Sequence, residues 1–230
     1  MIYTNKYGLP ESLVCAVQSE KYSKGDADYS ATELLKPPQI GWLFRKHESD
    51  ISEDIADVIY RLLGSGIHEV LEKAYQGTEA VLEERLFATI DSSVISGAVD
   101  LREKGKIMDY KVTATYKIIR GDHEEWEQQL NIYDWLAWKN DHLVNELEII
   151  AILRDWKKSQ RFKANYPDQG VVTVPFTQWD HDKQEEFIRE KIAEHQEDPP
   201  RYCTSEETWS SIRCRDWCNV SSFCPQWNGK

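Results

Sequence analysis

Three short segments rich in β-forming residues follow one another with only turn-sized gaps, and this constrains the fold most. They are Ala80 to Ile90, Val94 to Leu101 and Ile107 to Val112, separated by Asp91-Ser92-Ser93 and Glu103-Lys104-Gly105-Lys106. Spacers of that length and composition read as hairpin turns, so three consecutive strands meander. Before them, Ile51, Ile55, Val58, Ile59, Leu62, Leu63, Ile67, Val70 and Leu71 recur at helical spacing and predict one helix over Asp50 to Ala74. After them come a helix over Glu124 to Lys139, a buried strand over Glu146 to Trp156, and a further strand at Val171 to Val174. Thr177 to His195 reads as an amphipathic helix. This order predicts an α/β core with a mixed sheet flanked by helices. Met1 to Asp28 is polar and turn-rich and reads as a surface wrap, and a short helix capped by Ser30 or Thr32 should end at Pro37-Pro38.

The second and third strands carry Ser96-Gly97-Ala98-Val99-Asp100 and Ile107-Met108-Asp109-Tyr110-Lys111. Paired through the turn, they put Asp100 and Asp109 side by side, and Lys111 shares the face of Asp109 because strand side chains alternate. Two carboxylates and an ammonium make a poor core. They suit a hard divalent cation such as Mg²⁺ or Mn²⁺ with a cationic group beside it. A surface hairpin would carry the same residues, since Asp-x-Lys occurs on exposed strands. Gly97 favours an interior site by permitting close backbone approach, and Ile107-Met108 starts the third strand apolar.

With Gly64-Ser65-Gly66-Ile67-His68 upstream and Gln129-Leu130-Asn131-Ile132-Tyr133 downstream, the ordered set resembles the RecB-like branch of the PD-(D/E)XK nuclease superfamily, which includes YqaJ-type phage recombination exonucleases. The likeness runs over roughly residues 30 to 156 and implies a restriction-endonuclease-like core. It implies His68 as a nitrogen ligand favouring Mn²⁺-type ions, with Asp100 and Asp109 as carboxylate ligands and the Tyr110 carbonyl completing the shell. Lys111 would orient or help deprotonate the attacking water. Gln129 and Tyr133, one helical turn apart, would brace the site or touch the phosphate backbone. Glu84 would fill the extra acidic position, with Glu83 adjacent and not separable from it by sequence. Val99 replaces the family's Pro, as in the Gly-x-x-Asp form.

Arg154, Lys157, Lys158, Arg161 and Lys163 are interleaved with Trp156, Phe162 and Tyr166. Cations for a backbone and aromatic faces for bases are what single-stranded or frayed DNA requires, although a solvated loop would also be basic. The chain has five cysteines, four of them in the last 28 residues: Cys203, Cys214, Cys218 and Cys224. An odd count without a signal-like N-terminus points to a reduced, cytoplasmic compartment and a local tetrathiolate site rather than a disulfide scaffold. Such a site takes Zn²⁺ or an iron–sulfur cluster. Some RecB-like nucleases carry a 4Fe-4S cluster at the C-terminus, and the last three cysteines resemble that triplet. For the fourth ligand Cys203 is favoured over Cys15. The expected organisation is a nuclease domain over residues 1–198, its core at about 30–175, and a cysteine-rich tail over 199–230.

The net charge of -12 argues against a protein that coats nucleic acid. Its distribution is informative: acidity gathers at the carboxylate site and at Glu185 to Glu197, basic residues at 154–163, so DNA should be engaged locally. No apolar run of about 18 residues predicts a membrane span. The resemblance implies a metal-dependent DNA exonuclease, phage or mobile-element encoded, acting on linear ends or single strands in recombination or DNA processing and leaving a 5′-phosphate. A recombination or annealing protein would be its partner. A non-catalytic DNA-binding or assembly module on the same fold is the alternative, and a metal-sensing protein built on the tail ranks last.

Overall fold

The computed structural model describes residues 1–19, 23–77 and 79–228. In chain order the elements are β1 (Ile2–Thr4), α1 (Glu11–Ser19), β2 (Tyr29–Ser30), α2 (Ala31–Leu34), α3 (Pro38–His47), β3 (Ser52–Asp54), α4 (Ile55–Val58) and α5 (Arg61–Tyr75). There follow β4 (Val81–Ile90), β5 (Ser93–Glu103), β6 (Lys106–Thr113), α6 (Thr115–Arg120), α7 (Glu124–Lys139), β7 (Glu146–Leu153), β8 (Val171–Phe176), α8 (His181–Gln196), α9 (Ile212–Asp216) and α10 (Pro225–Asn228). They group into two compact units, one of Lys24–Ala31 and Leu63–Glu186, the other of Met1–Ser23, Thr32–Leu62 and Phe187–Lys230. Among the described residues no helix is long and apolar enough to cross a membrane.

The first unit is built on a mixed six-stranded sheet, in the order β2-β5-β6-β7-β8 with β4 paired to β5. The meander is present: β4 and β5 pair antiparallel from Val81↔Arg102 to Ile90↔Ser93. Between β5 and β6, Lys104 and Gly105 both have positive φ, 51° and 75°. Two such residues make the turn whose twist matches a hairpin. The β5–β6 ladder is short, running only from Glu103↔Lys106 to Leu101↔Met108. β6 then runs parallel to β7 over its whole length, and β8 is antiparallel to β7.

Helix α7 lies against this sheet. A Cβ on Gly97 would stand 2.6 Å from Leu136 Cδ1 and 2.8 Å from Tyr133, so only glycine permits the approach. Ile95, Val99, Ile107, Leu130, Leu136, Leu147 and Ile149 are fully buried in this unit and supply its hydrophobic stabilisation.

The second unit departs from the sequence reading in three places. Asp50 to Ala74 is not one helix: Ser52–Asp54 pairs parallel with Ile2–Thr4, and the helix restarts twice. The cause is Asp54, whose carboxylate accepts the Ala56 N–H at 3.1 Å as an N-cap and also takes Thr4 Oγ1 and the Lys6 N–H. A cap satisfied by a distant strand outweighs helical periodicity. Pro37-Pro38 begins a helix as well as ending one, with Pro38 inside the first turn of α3, where a missing N–H costs nothing. The N-terminal segment is structured rather than a wrap, for Val17 of α1 is buried with Ile55 and Val58.

Candidate metal centre and cysteine cavity

His68 projects from α5, Glu83 from β4 and Asp100 from β5, and one ligand atom of each lies within 4.8 Å of the others. His68 Nδ1 is 3.4 Å from Glu83 Oε1 and 3.5 Å from Asp100 Oδ2, while its Nε2 is 3.1 Å from the Tyr110 carbonyl oxygen. These contacts follow from where the β5–β6 ladder stops. Asp100 and Asp109 would form the next pair in register, but the ladder ends at Leu101↔Met108. Asp100 Oδ2 instead accepts the Tyr110 N–H at 2.7 Å.

Asp109, buried at 2% exposure, takes two partners. Lys111 Nζ stands 2.6 Å from its Oδ2, and Gln129 Nε2 donates to its Oδ1 at 3.0 Å. The Gln129 amide also donates to the Tyr133 hydroxyl at 2.7 Å, so the pair spaced one turn apart on α7 reaches the site as one brace.

The electrostatics follow from crowding. Burial first, and the Asp109 carboxylate second, push the Asp100 carboxyl up to about 7, against the opposite pull of His68, Lys111 and the Tyr110 N–H. The hydrogen bond to Glu83 raises His68, with burial opposing it and Asp100 adding to it. Burial works against the Lys111 ammonium, yet the charge and hydrogen bond of Asp109, with Asp100 beyond, hold its pKa above the usual lysine value. A nitrogen, facing carboxylates and a backbone carbonyl form a donor set that fits a divalent cation.

Glu84 is a correction. Its Oε2 accepts from Arg102 Nε and Nη2 at 2.9 and 2.8 Å, which takes it out of the cluster. The acid at His68 is Glu83, whose backbone lies in the left-handed region at φ 48°. The register passes over it, from Leu82↔Leu101 to Glu84↔Val99, so Glu83 stands across from Asp100. A non-glycine residue in that conformation is an uncommon, strained arrangement of the kind that gathers at working sites. Nothing in the sequence distinguishes it from its neighbour.

The basic residues Arg154, Lys157, Lys158, Arg161 and Lys163 are all exposed on the segment joining β7 to β8. The Arg154 N–H donates to the Thr113 carbonyl, two residues beyond Lys111 on β6.

The four C-terminal cysteines are a separate matter, within the other unit. Cys203, Cys214, Cys218 and Cys224 line one cavity with Ile40, Leu43, Val220 and Trp227, and Arg213 is among its walls. Both Gln39 and Gln226 hold the Cys203 N–H at 3.1 Å. Burial, then Glu207 and the neighbouring thiols, push Cys203 up to about 12, and burial raises Cys218. Unlike the carboxylate group, no three of these thiols draw within 4.8 Å of one another among the described residues. Zn–S bonds of about 2.3 Å set tetrahedral thiolates about 3.8 Å apart, so the spacing is wide for one zinc ion. Cys15 is exposed on α1, hydrogen-bonded to Glu11, and does not line the cavity.

The crystal structure of SSO0001 shares this fold, with a TM-score of 0.58 at 17% identity over 94% of this chain and 93% of that one. Two further structures overlap more loosely. A phage related exonuclease from Haemophilus somnus 129PT aligns at TM-score 0.34 and 12% identity over 80% of this chain and 75% of its own. An alkaline exonuclease (LHK-Exo) from Laribacter hongkongensis aligns at 0.39 and 10% over 80% and 96%. At those scores the two exonucleases carry no argument about this chain. No protein-family model matches it, and no curated protein matches it in sequence.

Proposed function

We propose that this protein is a metal-dependent DNA nuclease, an exonuclease that hydrolyses phosphodiester bonds in recombination or DNA processing, of the phage or mobile-element kind. One observation carries the reading: His68, Glu83 and Asp100 converge within 4.8 Å beside the buried Asp109–Lys111 pair. His68, Glu83, Asp100, Asp109 and the Tyr110 carbonyl would hold Mg²⁺ or Mn²⁺, the imidazole favouring Mn²⁺. Such an ion lowers the pKa of a water and offsets the charge that develops on the phosphate. Lys111 Nζ, 2.6 Å from Asp109 Oδ2, stands beside this donor set. Its part would be to orient or help deprotonate the attacking water. Gln129 fixes Asp109 and thereby Lys111, and Tyr133 fixes Gln129.

Digestion of end-labelled linear DNA with Mg²⁺ or Mn²⁺, set against closed circular DNA, tests the reading. Linear DNA should be degraded, circles spared, and Asp109→Ala and Lys111→Ala should each lose more than a hundredfold. Wild type inert with both metals, or variants as active as wild type, would overturn it.

The cysteine cavity we assign to a multi-iron cluster held by Cys203, Cys214, Cys218 and Cys224, on the strength of its apolar lining and widely set thiols. Anaerobically purified protein should be brown. Colourless protein with stoichiometric zinc would reject the cluster.

A further inference from the structure

We propose that the loop between β7 and β8 is a grip for an unpaired DNA strand, and that Phe162 at its tip is the residue on which a base stacks. This rests on DNA being the substrate and adds which form of it is engaged. Of the three aromatic side chains in the loop, two are consumed in building it. Trp156 Nε1 donates to the Pro167 carbonyl at 2.9 Å, and its ring faces Gly170. The Tyr166 hydroxyl accepts the Lys157 N–H at 2.7 Å, and turns at Lys157–Gln160, Gln160–Lys163 and Lys163–Tyr166 close the backbone between them. The loop is thus pinned at its base by its own hydrogen bonds.

Phe162 does none of this and is 83% exposed. Its only ring partner among the described residues is Arg161, whose guanidinium lies 4.6 Å from the ring centroid. A guanidinium on a phenyl ring is already half of a stack, and a nucleobase completes it, because base–aromatic stacking tolerates any sequence. Lys157, Lys158, Arg161 and Lys163, all exposed on the same loop, supply positive charge that complements phosphates. The nearby Asp155 is turned away from a strand, its Oδ1 accepting the Thr115 N–H and hydroxyl at 2.6 and 2.8 Å. Duplex DNA hides its base faces and offers this ring nothing, so the contact selects unpaired strand. The loop leaves the sheet beside Thr113, two residues beyond Lys111 on β6.

The experiment is binding, with the divalent cation removed, of a short oligothymidylate carrying one 2-aminopurine, compared with a blunt duplex. Phe162→Ala should weaken oligonucleotide binding about tenfold and abolish the 2-aminopurine quench, while duplex binding stays within about twofold. Phe162→Trp should restore both binding and quench. Oligonucleotide binding unchanged in Phe162→Ala, loss of both ligands in equal measure, or no oligonucleotide binding by wild type would overturn the proposal. Normal, Phe162-dependent binding by a wild type that digests no DNA would sink the nuclease reading and leave the grip standing.

Discussion

The carboxylate centre and the cysteine cavity are two answers to one problem, that of holding charged or reactive groups inside a protein. At the first, Asp100 has the Tyr110 N–H, Asp109 has Lys111 and Gln129, and His68 has Glu83. The sheet register sets these pairs. At the second, thiols face an apolar cavity walled by loops and short helices, and burial raises Cys203 and Cys218 instead of easing them toward thiolate. The first is tied together by its own hydrogen bonds and ion pair. The second depends on its ligand to offset what burial costs, so removing ligands should affect the two differently.

The largest expected effect follows. Cys224→Ala removes a thiol that is 8% exposed and packed with Leu43, Ile51 and Val220, and it should cost on the order of 3 kcal/mol together with bound metal. A thermal melt and metal analysis should show a midpoint about 10 °C lower and substoichiometric metal, with Cys15→Ala silent. Equal melts for the two variants would dissolve the contrast. Next, Gly97→Ala forces a methyl group onto Leu136 and Tyr133 and should cost about 1–3 kcal/mol by denaturant titration, displacing the Tyr133–Gln129 brace.

Asp100 gives a pH-dependent effect. Its folded pKa is raised above the unfolded value, so ionising it penalises the native state. The penalty is absent below about pH 4 and grows as pH rises to about 7. In EDTA, Asp100→Asn should therefore gain about 2 kcal/mol, or roughly 5 °C, at pH 8 and nothing near pH 4. An equal shift at both values would show that Asp100 is not strained by charge. The smallest effect belongs to Lys157→Glu with Lys158→Glu, which should weaken DNA binding several-fold and flatten its dependence on salt, as filter binding across a salt series would reveal. An unchanged slope would remove these lysines from the DNA path.

Much of the sheet site was readable before the fold was known, because its rules are local. Alternation put Asp109 and Lys111 on one face, and one helical turn joined Gln129 to Tyr133. Glu83 was not readable, since its place depends on a left-handed backbone that nothing in Glu83-Glu84 encodes. Nor was the break in the 50–74 helix, which depends on a parallel partner some fifty residues away in sequence, as Tyr3↔Glu53 shows. The aromatic residues between 156 and 166 read as three equal platforms, and only their hydrogen bonds separate two structural rings from one exposed one.

The two-residue turn at Lys104-Gly105 acts as a ruler. β6 is gripped on one edge by three pairs from β5 and on the other by eight from β7. One residue added at the turn could be absorbed only by surrendering one ladder to the other, and a slip of one residue reverses which face every side chain takes. The chemistry of those turn residues is therefore free to drift within what positive φ allows, while their number is not. The distance from Asp100 to Asp109 is kept by counting.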